Sequence, residues 1–288
     1  MKKIKYLLLM IFIIPTLTGC VFKRDSMENI DIYTTVYPIN YLINCLYGNN
    51  SRVLSIYPNG VNLNEYKISD KKLEEYSKKD LFVFNSLDKD RDIAVKLINK
   101  NKKLKVIDVS VGMNLTNSVE ELWLNPYNYL MMAQNLKNGL SQYITDPYLI
   151  KEIDNNYEDL KYDLSKLDAS LKDTINNAKY TTIVADNDAL LFLEKYNLKV
   201  ISLEDNENLT EPKINEVKKL IEDGNIKYIY SLDSESNETV KTLINDYKIE
   251  LFKLNGMNSI DAEISNSNDN YLTIMNDNIE KLNKELIK

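Results

Sequence analysis

Histidine is absent from the 288-residue sequence. Its absence removes Ser-His-Asp and Cys-His nucleophilic arrangements, together with the usual general base of neutral pH. Glycine is scarce, at seven residues, and none falls into GxGxxG or into GxxxxGK followed by Ser or Thr. A glycine-rich phosphate cradle is therefore unsupported. Positive charge is in deficit, with 36 Lys and Arg against 43 Asp and Glu and a net charge of -7. Nucleic acid is not an expected partner, because phosphate binding draws on a basic surface. Cysteine occurs only at Cys20 and Cys45, and once Cys20 is set aside no internal disulfide can form. Cys45 lies in INCLYG on an apolar helical pattern, which reads as a small core residue.

What is present is a globular composition. Apolar residues make up 44% and charged residues 27% of the chain, close to an average domain. The length suits one large domain or two lobes. The first twenty residues, MKKIKYLLLMIFIIPTLTGC, carry Lys2, Lys3 and Lys5 ahead of an apolar run too short to span a bilayer. The run ends in Leu17-Thr18-Gly19-Cys20, which resembles a bacterial lipobox. Removing this leader takes the net charge to about -10. Cys20 is then expected to be the acylated first residue, with several acyl chains at about 0.8 kcal/mol per buried methylene holding the protein on a membrane. The expected division is a signal peptide over 1–19, a lipidated tether over 20–29, an α/β lobe over 30–145, a linking helix over 146–178 and a second α/β lobe over 179–288.

Short β-rich runs alternate with amphipathic segments. DIYTTVY, RVLSIYP, DLFVFNS and LKVIDVS in the first half are answered by YTTIVAD, LKVISLE, IKYIYSLD and IELFKLN in the second. This rhythm predicts βαβ units, hence two lobes, each with a mostly parallel sheet flanked by helices. Between them, residues 146–178 open with Asp146-Pro147 and contain no later Pro or Gly. Ile150, Ile153, Tyr157, Leu160, Leu164, Leu167, Leu171 and Ile175 form one stripe, predicting a single long, rigid helix that packs on both lobes.

Open α/β sheets bind ligands outside the carboxyl ends of their strands. Four loops qualify: the one carrying Asn62, Asn64 and Glu65; VEELWLNPYN; the one carrying Asp186, Asn187 and Asp188; and the one carrying Asn258 and Asp261. The carboxylate pairs Glu120-Glu121, Asp186 with Asp188, and Asp233 with Glu235 read as helix caps or solvated surface. Binding fits better than turnover, and no enzyme is expected.

In these loops residues 31–288 resemble the solute-binding lipoproteins of zinc and manganese ABC importers. Members show a Pro-rich turn and His-Glu-Tyr, and here PNGVNLNEY places Asn64 on the histidine. Members show His-x-Trp-x-Asp-Pro, and here Glu121 takes the histidine position while Trp123 keeps its place. For Ser-His-x-Ala-Phe, Asn187 falls on the third histidine, with Asp186 as the alternative. The late acidic ligand falls on Asn258, with Asp261 nearby as a stand-in.

The resemblance implies two lobes joined by one rigid helix, with a metal ion or small ligand held between them and handed to an ABC permease. It also implies an extracytoplasmic, lipid-anchored protein, expected to be a monomer. With every ligand histidine replaced, the site reads as degenerate. Zinc is then disfavoured, since it prefers nitrogen and sulfur donors, and a hard cation such as Mn²⁺ or Ca²⁺ suits an all-oxygen cleft. The competing reading is a degenerate paralogue acting as a surface adhesin or interaction module.

Overall fold

Alternation of β-branched and aromatic runs with amphipathic helices folds into two four-stranded parallel sheets. The computed structural model describes residues 25–61, 63, 65–232, 236–258 and 269–287. Cys20, Asn64 and Asp261 lie outside these residues. The first sheet is built from β1 (Ile30–Thr34), β2 (Ser51–Ser55), β3 (Leu81–Phe84) and β4 (Lys105–Asp108), in the order β2-β1-β3-β4. The second repeats the topology as β6-β5-β7-β8, from β5 (Thr182–Ala185), β6 (Lys199–Ser202), β7 (Tyr228–Ser231) and β8 (Glu250–Lys253). In each, the strand order reverses between the two central strands, which opens a crevice at their carboxyl ends.

Helices cover both faces. In the first lobe α1 (Tyr37–Tyr47) packs on one face, while α2 (Asp70–Ser77) and α3 (Asp90–Lys100) close a core of Tyr33, Ile56, Phe82, Phe84 and Leu97 on the other. A one-turn α4 (Glu121–Leu124) and α5 (Pro126–Tyr143) complete this half. Gly139 lets α5 lie tight against β4, because a Cβ there would fall 2.6 Å from the Ile107 side chain. In the second lobe a 3-10 segment (Asp188–Tyr196) follows β5, and α7 (Glu211–Glu222, numbered after the linking helix below) and α8 (Glu238–Tyr247) cover one face. The final helix α9 (Tyr271–Leu286) is pinned to β7 by buried Glu285, whose carboxylate accepts the backbone N–H groups of Lys227 and Tyr228 at 3.2 and 3.1 Å.

The linking helix, α6, runs from Pro147 to Asn176. Asp146 caps it by accepting from Tyr148 N at 2.7 Å and Leu149 N at 3.4 Å, and Pro147 occupies the first turn, where no donor is needed. At 1.5 Å per residue it is about 45 Å long. Seven stripe residues, from Ile153 to Ile175, are buried, each worth about 2 kcal/mol of apolar transfer. They belong to one apolar core that runs without a break from α1 and α5 in the first lobe to the 3-10 segment and α9 in the second. Among the described residues no helix is long and apolar enough to cross a membrane.

Candidate ligand-binding cleft

The carboxyl ends of both sheets carry polar loops, and the structure shows how each is braced. In the first lobe, the Asp108 carboxylate at the end of β4 accepts from Ser86 N, Ser110 N and the Ser110 hydroxyl at 3.2, 2.9 and 2.6 Å. Asn135 of α5 donates to the carbonyls of Val109 and Val111, both at 2.9 Å, and so sets the start of the loop leading to α4. The loop after β2 is held from below. The Lys89 ammonium donates to Leu63 O at 2.6 Å, and the Tyr57 hydroxyl donates to Asp90 at 3.2 Å. Asp90 is 2% exposed, and its carboxyl is pushed up to about 6, chiefly by burial.

Trp123 joins this lobe to the other. It is 1% exposed, its indole N–H donates to Gly256 O at 2.7 Å, and its own carbonyl accepts the Tyr271 hydroxyl at 2.6 Å. Tyr271 in turn stacks on Tyr129 and Tyr41, with ring centroids 4.0 and 5.6 Å apart. The family-like position of this tryptophan therefore has a mechanical basis: it is the buried peg between the loop after β4 and the loop after β8.

Once the peg is seated, the neighbouring acids diverge. Glu120 turns across the seam and accepts from Asn258 Nδ2 at 2.7 Å, while its other oxygen accepts the Ser118 hydroxyl. Glu121 instead accepts from Asn117 Nδ2 at 2.9 Å and lies on the side of Lys195. Lys195 donates to Asn125 Oδ1 at 2.6 Å, a further bond between the lobes. Burial holds its ammonium below the usual lysine range, against the opposing pull of Asp168 and Glu121. A cavity of about 690 Å³ opens beside Lys195, between α5, α6 and the end of the 3-10 segment. Among the described residues none at the strand ends lines it, so it flanks the candidate site.

On the second lobe, Asp186 follows β5, is 5% exposed and accepts the Ser231 hydroxyl of β7. Asn187 caps the 3-10 segment by accepting from Ala189 N at 3.1 Å. The loop after β8 is stiff. Asn278 of α9 accepts from Asn255 N at 2.8 Å and donates back to Asn255 O at 2.9 Å, while Asn255 Oδ1 holds Met257 N at 2.8 Å. Met257 sits at φ 57, a left-handed conformation uncommon for such a side chain, and this bracing sustains it while presenting Asn258 to Glu120.

Of the residues singled out from sequence, Asn258 thus reaches the seam. Asp186 and Asn187 lie at the end of β5, and Glu121 sits one residue from the carboxylate that bridges the lobes. Glu120, Ser231 and Asn278 are additions from the structure. Glu120 was visible as half of an acidic pair, but adjacent residues on a helical turn point about 100° apart, and only the seating of Trp123 decides which one faces Asn258. Among the described residues no three His, Cys, Asp or Glu side chains gather closely enough to hold a metal ion.

Comparison with known proteins places this geometry. The profile of the family described as "ZnuA: Zinc-uptake complex component A periplasmic" matches residues 32–285. The zinc-binding lipoprotein AdcA of Streptococcus pneumoniae (strain ATCC BAA-255 / R6) is 23% identical, covering 98% of this chain, which spans 60% of that relative's length. The high-affinity zinc uptake system protein ZnuA of Bacillus subtilis (strain 168) is 21% identical, over 90% of this chain and 88% of the relative. Among solved structures, the Zn(II)-bound ZnuA-like domain of S. pneumoniae AdcA superimposes with a TM-score of 0.74 at 21% identity, covering 90% of this chain and all of that one. The metal-dependent lipoprotein YcdH of B. subtilis gives 0.75 at 19%, with the same coverage. These likenesses share the two-lobed fold.

They also correct one expectation. Zinc was disfavoured for want of imidazole, with Mn²⁺ or Ca²⁺ preferred, yet the relatives are named as zinc-binding and have been solved with Zn(II). A preference for nitrogen and sulfur does not exclude oxygen, since zinc also takes carboxylate oxygen at about 2.0–2.2 Å. The description of the family is that of an uptake component, in accord with the expectation that the chain is not an enzyme. With a match running from Ile32 into the last turn of α9, the chain belongs to the ZnuA family of zinc-uptake complex components.

Proposed function

We propose that this chain is the extracytoplasmic solute-binding component of a zinc-uptake type ABC importer, holding its ion between the lobes and passing it to a permease. The family match over residues 32–285 carries the reading. The seam between Glu120 and Asn258 supports it, because that contact joins a carboxylate of one lobe to an amide of the other at the strands' carboxyl ends. In this reading Glu120 is the acidic donor of the first lobe, and Asn64, Asp186, Asn187, Asn258 and Asp261 offer oxygens from the flanking loops. The protein works as a monomer held on the membrane through lipidated Cys20, with residues 20–29 as the tether and residues 146–178 as the bridge between the lobes.

Calorimetric titration of the metal-stripped protein with Zn²⁺ tests the reading. One saturable site is expected at pH 7, weakened at least tenfold by Glu120→Gln and much less by Glu121→Gln. Binding should also weaken as pH falls toward 4, since a protonated carboxylate loses its acceptor charge. A flat titration of the unaltered protein would remove the metal-binding reading.

A further inference from the structure

The chain does not enter β1 as a loose strand. Asp25, five residues after Cys20, is tied into the corner where α5 hands over to α6. Its carboxylate accepts from Thr145 N at 2.7 Å, Thr145 Oγ1 at 3.0 Å and Asp146 N at 2.9 Å through one oxygen, and from Met27 N at 2.8 Å through the other. Burial pushes this carboxyl up, but the bonds from Met27, Thr145 and Asp146 outweigh it and hold the group below the usual carboxylate value.

The turn behind it is equally fixed. Glu28 N donates to Asp25 O at 3.1 Å, Asn29 turns the chain at φ 55, and Met27 is fully buried. The Tyr47 hydroxyl closes over it by donating to Met27 O at 2.8 Å. A flexible leash needs none of these bonds. Asp146, whose N–H reaches Asp25, is also the cap of α6, so the clasp fastens the chain entry to the end of the longest rigid rod in the molecule.

Resting on the lipidation of Cys20 in the reading above, we propose that Asp25 is a clasp that plants the Asp146 end of α6 against the bilayer, so that the anchor holds the protein by a rigid corner. Five peptide units between Cys20 and Asp25 span at most about 17 Å. The Asp146 end of α6 cannot stray farther than that reach plus the width of the turn, whereas Lys172, 21 residues along the helix from Lys151, lies about 31 Å beyond Lys151. The partner is a lipid surface, and what the clasp supplies is orientation.

Two measurements on the full, lipidated chain test this. In a Cys45→Ala background, a donor dye is attached at Lys151→Cys or at Lys172→Cys, both exposed positions. The protein is bound to phosphatidylethanolamine–phosphatidylglycerol vesicles carrying an acceptor lipid. Energy transfer from position 151 is expected to exceed that from 172 at least twofold, and Asp25→Ala should shrink the difference. Equal transfer from the two positions, or a difference untouched by Asp25→Ala, overturns the proposal.

Trypsin reads the clasp without the membrane. Trypsin cleaving after Arg24 must take Asp25 to Met27 into its groove, which requires the turn to open, so Asp25→Ala is expected to speed this cut about tenfold and Thr145→Val, which keeps the carboxylate, about threefold. Unchanged rates overturn the clasp. Failure of the unaltered protein to float with vesicles overturns the anchor and the planting with it, while the trypsin rates still report whether the clasp exists.

Discussion

The two lobes repeat one strand order, and each buries an aspartate near the carboxyl edge of its sheet, but the surroundings differ. Asp90 of the first lobe comes from the opening turn of α3 and looks into its own half, toward the Tyr57 hydroxyl and Thr35, beneath the loop that carries Leu63. Asp186 of the second lobe extends directly from β5 and is held by Ser231 of the neighbouring strand. One acid supports a loop from behind, and the other sits at the mouth of the sheet. Shared topology therefore fixes where polar groups collect, while the element that supplies them decides whether they brace a loop or a neighbouring strand.

The strongest way to break this comparison is to remove what joins the halves. Trp123→Ala should cost about 3–5 kcal/mol, the usual range for deleting a buried tryptophan, and should replace one denaturant transition followed by circular dichroism with a broader or double one. Trp123→Phe keeps most of the volume and should cost less than half as much, leaving the Gly256 carbonyl without its donor.

Asp90 gives the next effect. Its folded value is raised from 3.8 to about 6, so between roughly pH 4 and 6 the unfolded chain releases a proton that the folded chain keeps, and stability falls as pH rises through that window. Asp90→Asn should stabilise the protein by about 2 kcal/mol at pH 8 and by almost nothing at pH 3.5, measured by urea midpoints.

Asp31 works in the opposite direction. Hydrogen bonds from Arg52 and Lys79 lower its carboxyl from 3.8 to about 2. The stability it gives is present above about pH 4 and is lost as pH falls toward 2. Because Arg52 is well exposed, the loss should be only about 1 kcal/mol, and Asp31→Asn should abolish that part of the acid dependence. Smallest of all is Glu120→Gln, which keeps an acceptor for Asn258 and should change the unfolding free energy by less than about 0.5 kcal/mol while weakening zinc binding. A large stability loss there would mean that Glu120 is a strut rather than a ligand.

Much of the fold could be read from the sequence because its signals are periodic and local. Eight β-rich runs separated by amphipathic stretches announce parallel sheets, and the stripe from Ile153 to Ile175 announces α6 almost to the residue. The seam was legible only in outline. Trp123 marks the right turn of chain, but the choice between Glu120 and Glu121 depends on a peg seated 133 residues away at Gly256. The brace between Asn255 and Asn278 is likewise an amide pair without a local pattern, formed only when α9 docks. The preference for Mn²⁺ or Ca²⁺ over zinc, which the zinc-binding relatives contradict, came from a missing residue type instead of from the oxygens that remain.

The unbroken apolar spine along α6 has a practical consequence for anyone dividing this polypeptide. A fragment ending before Asp146 would leave the inner flanks of α1 and α5 bare, and a fragment beginning after Asn176 would strip α9 and the 3-10 segment of the same cover. Neither half owns the rod that shields it, so each would come out of the ribosome sticky, and only a piece that retains the whole of α6 should remain in solution.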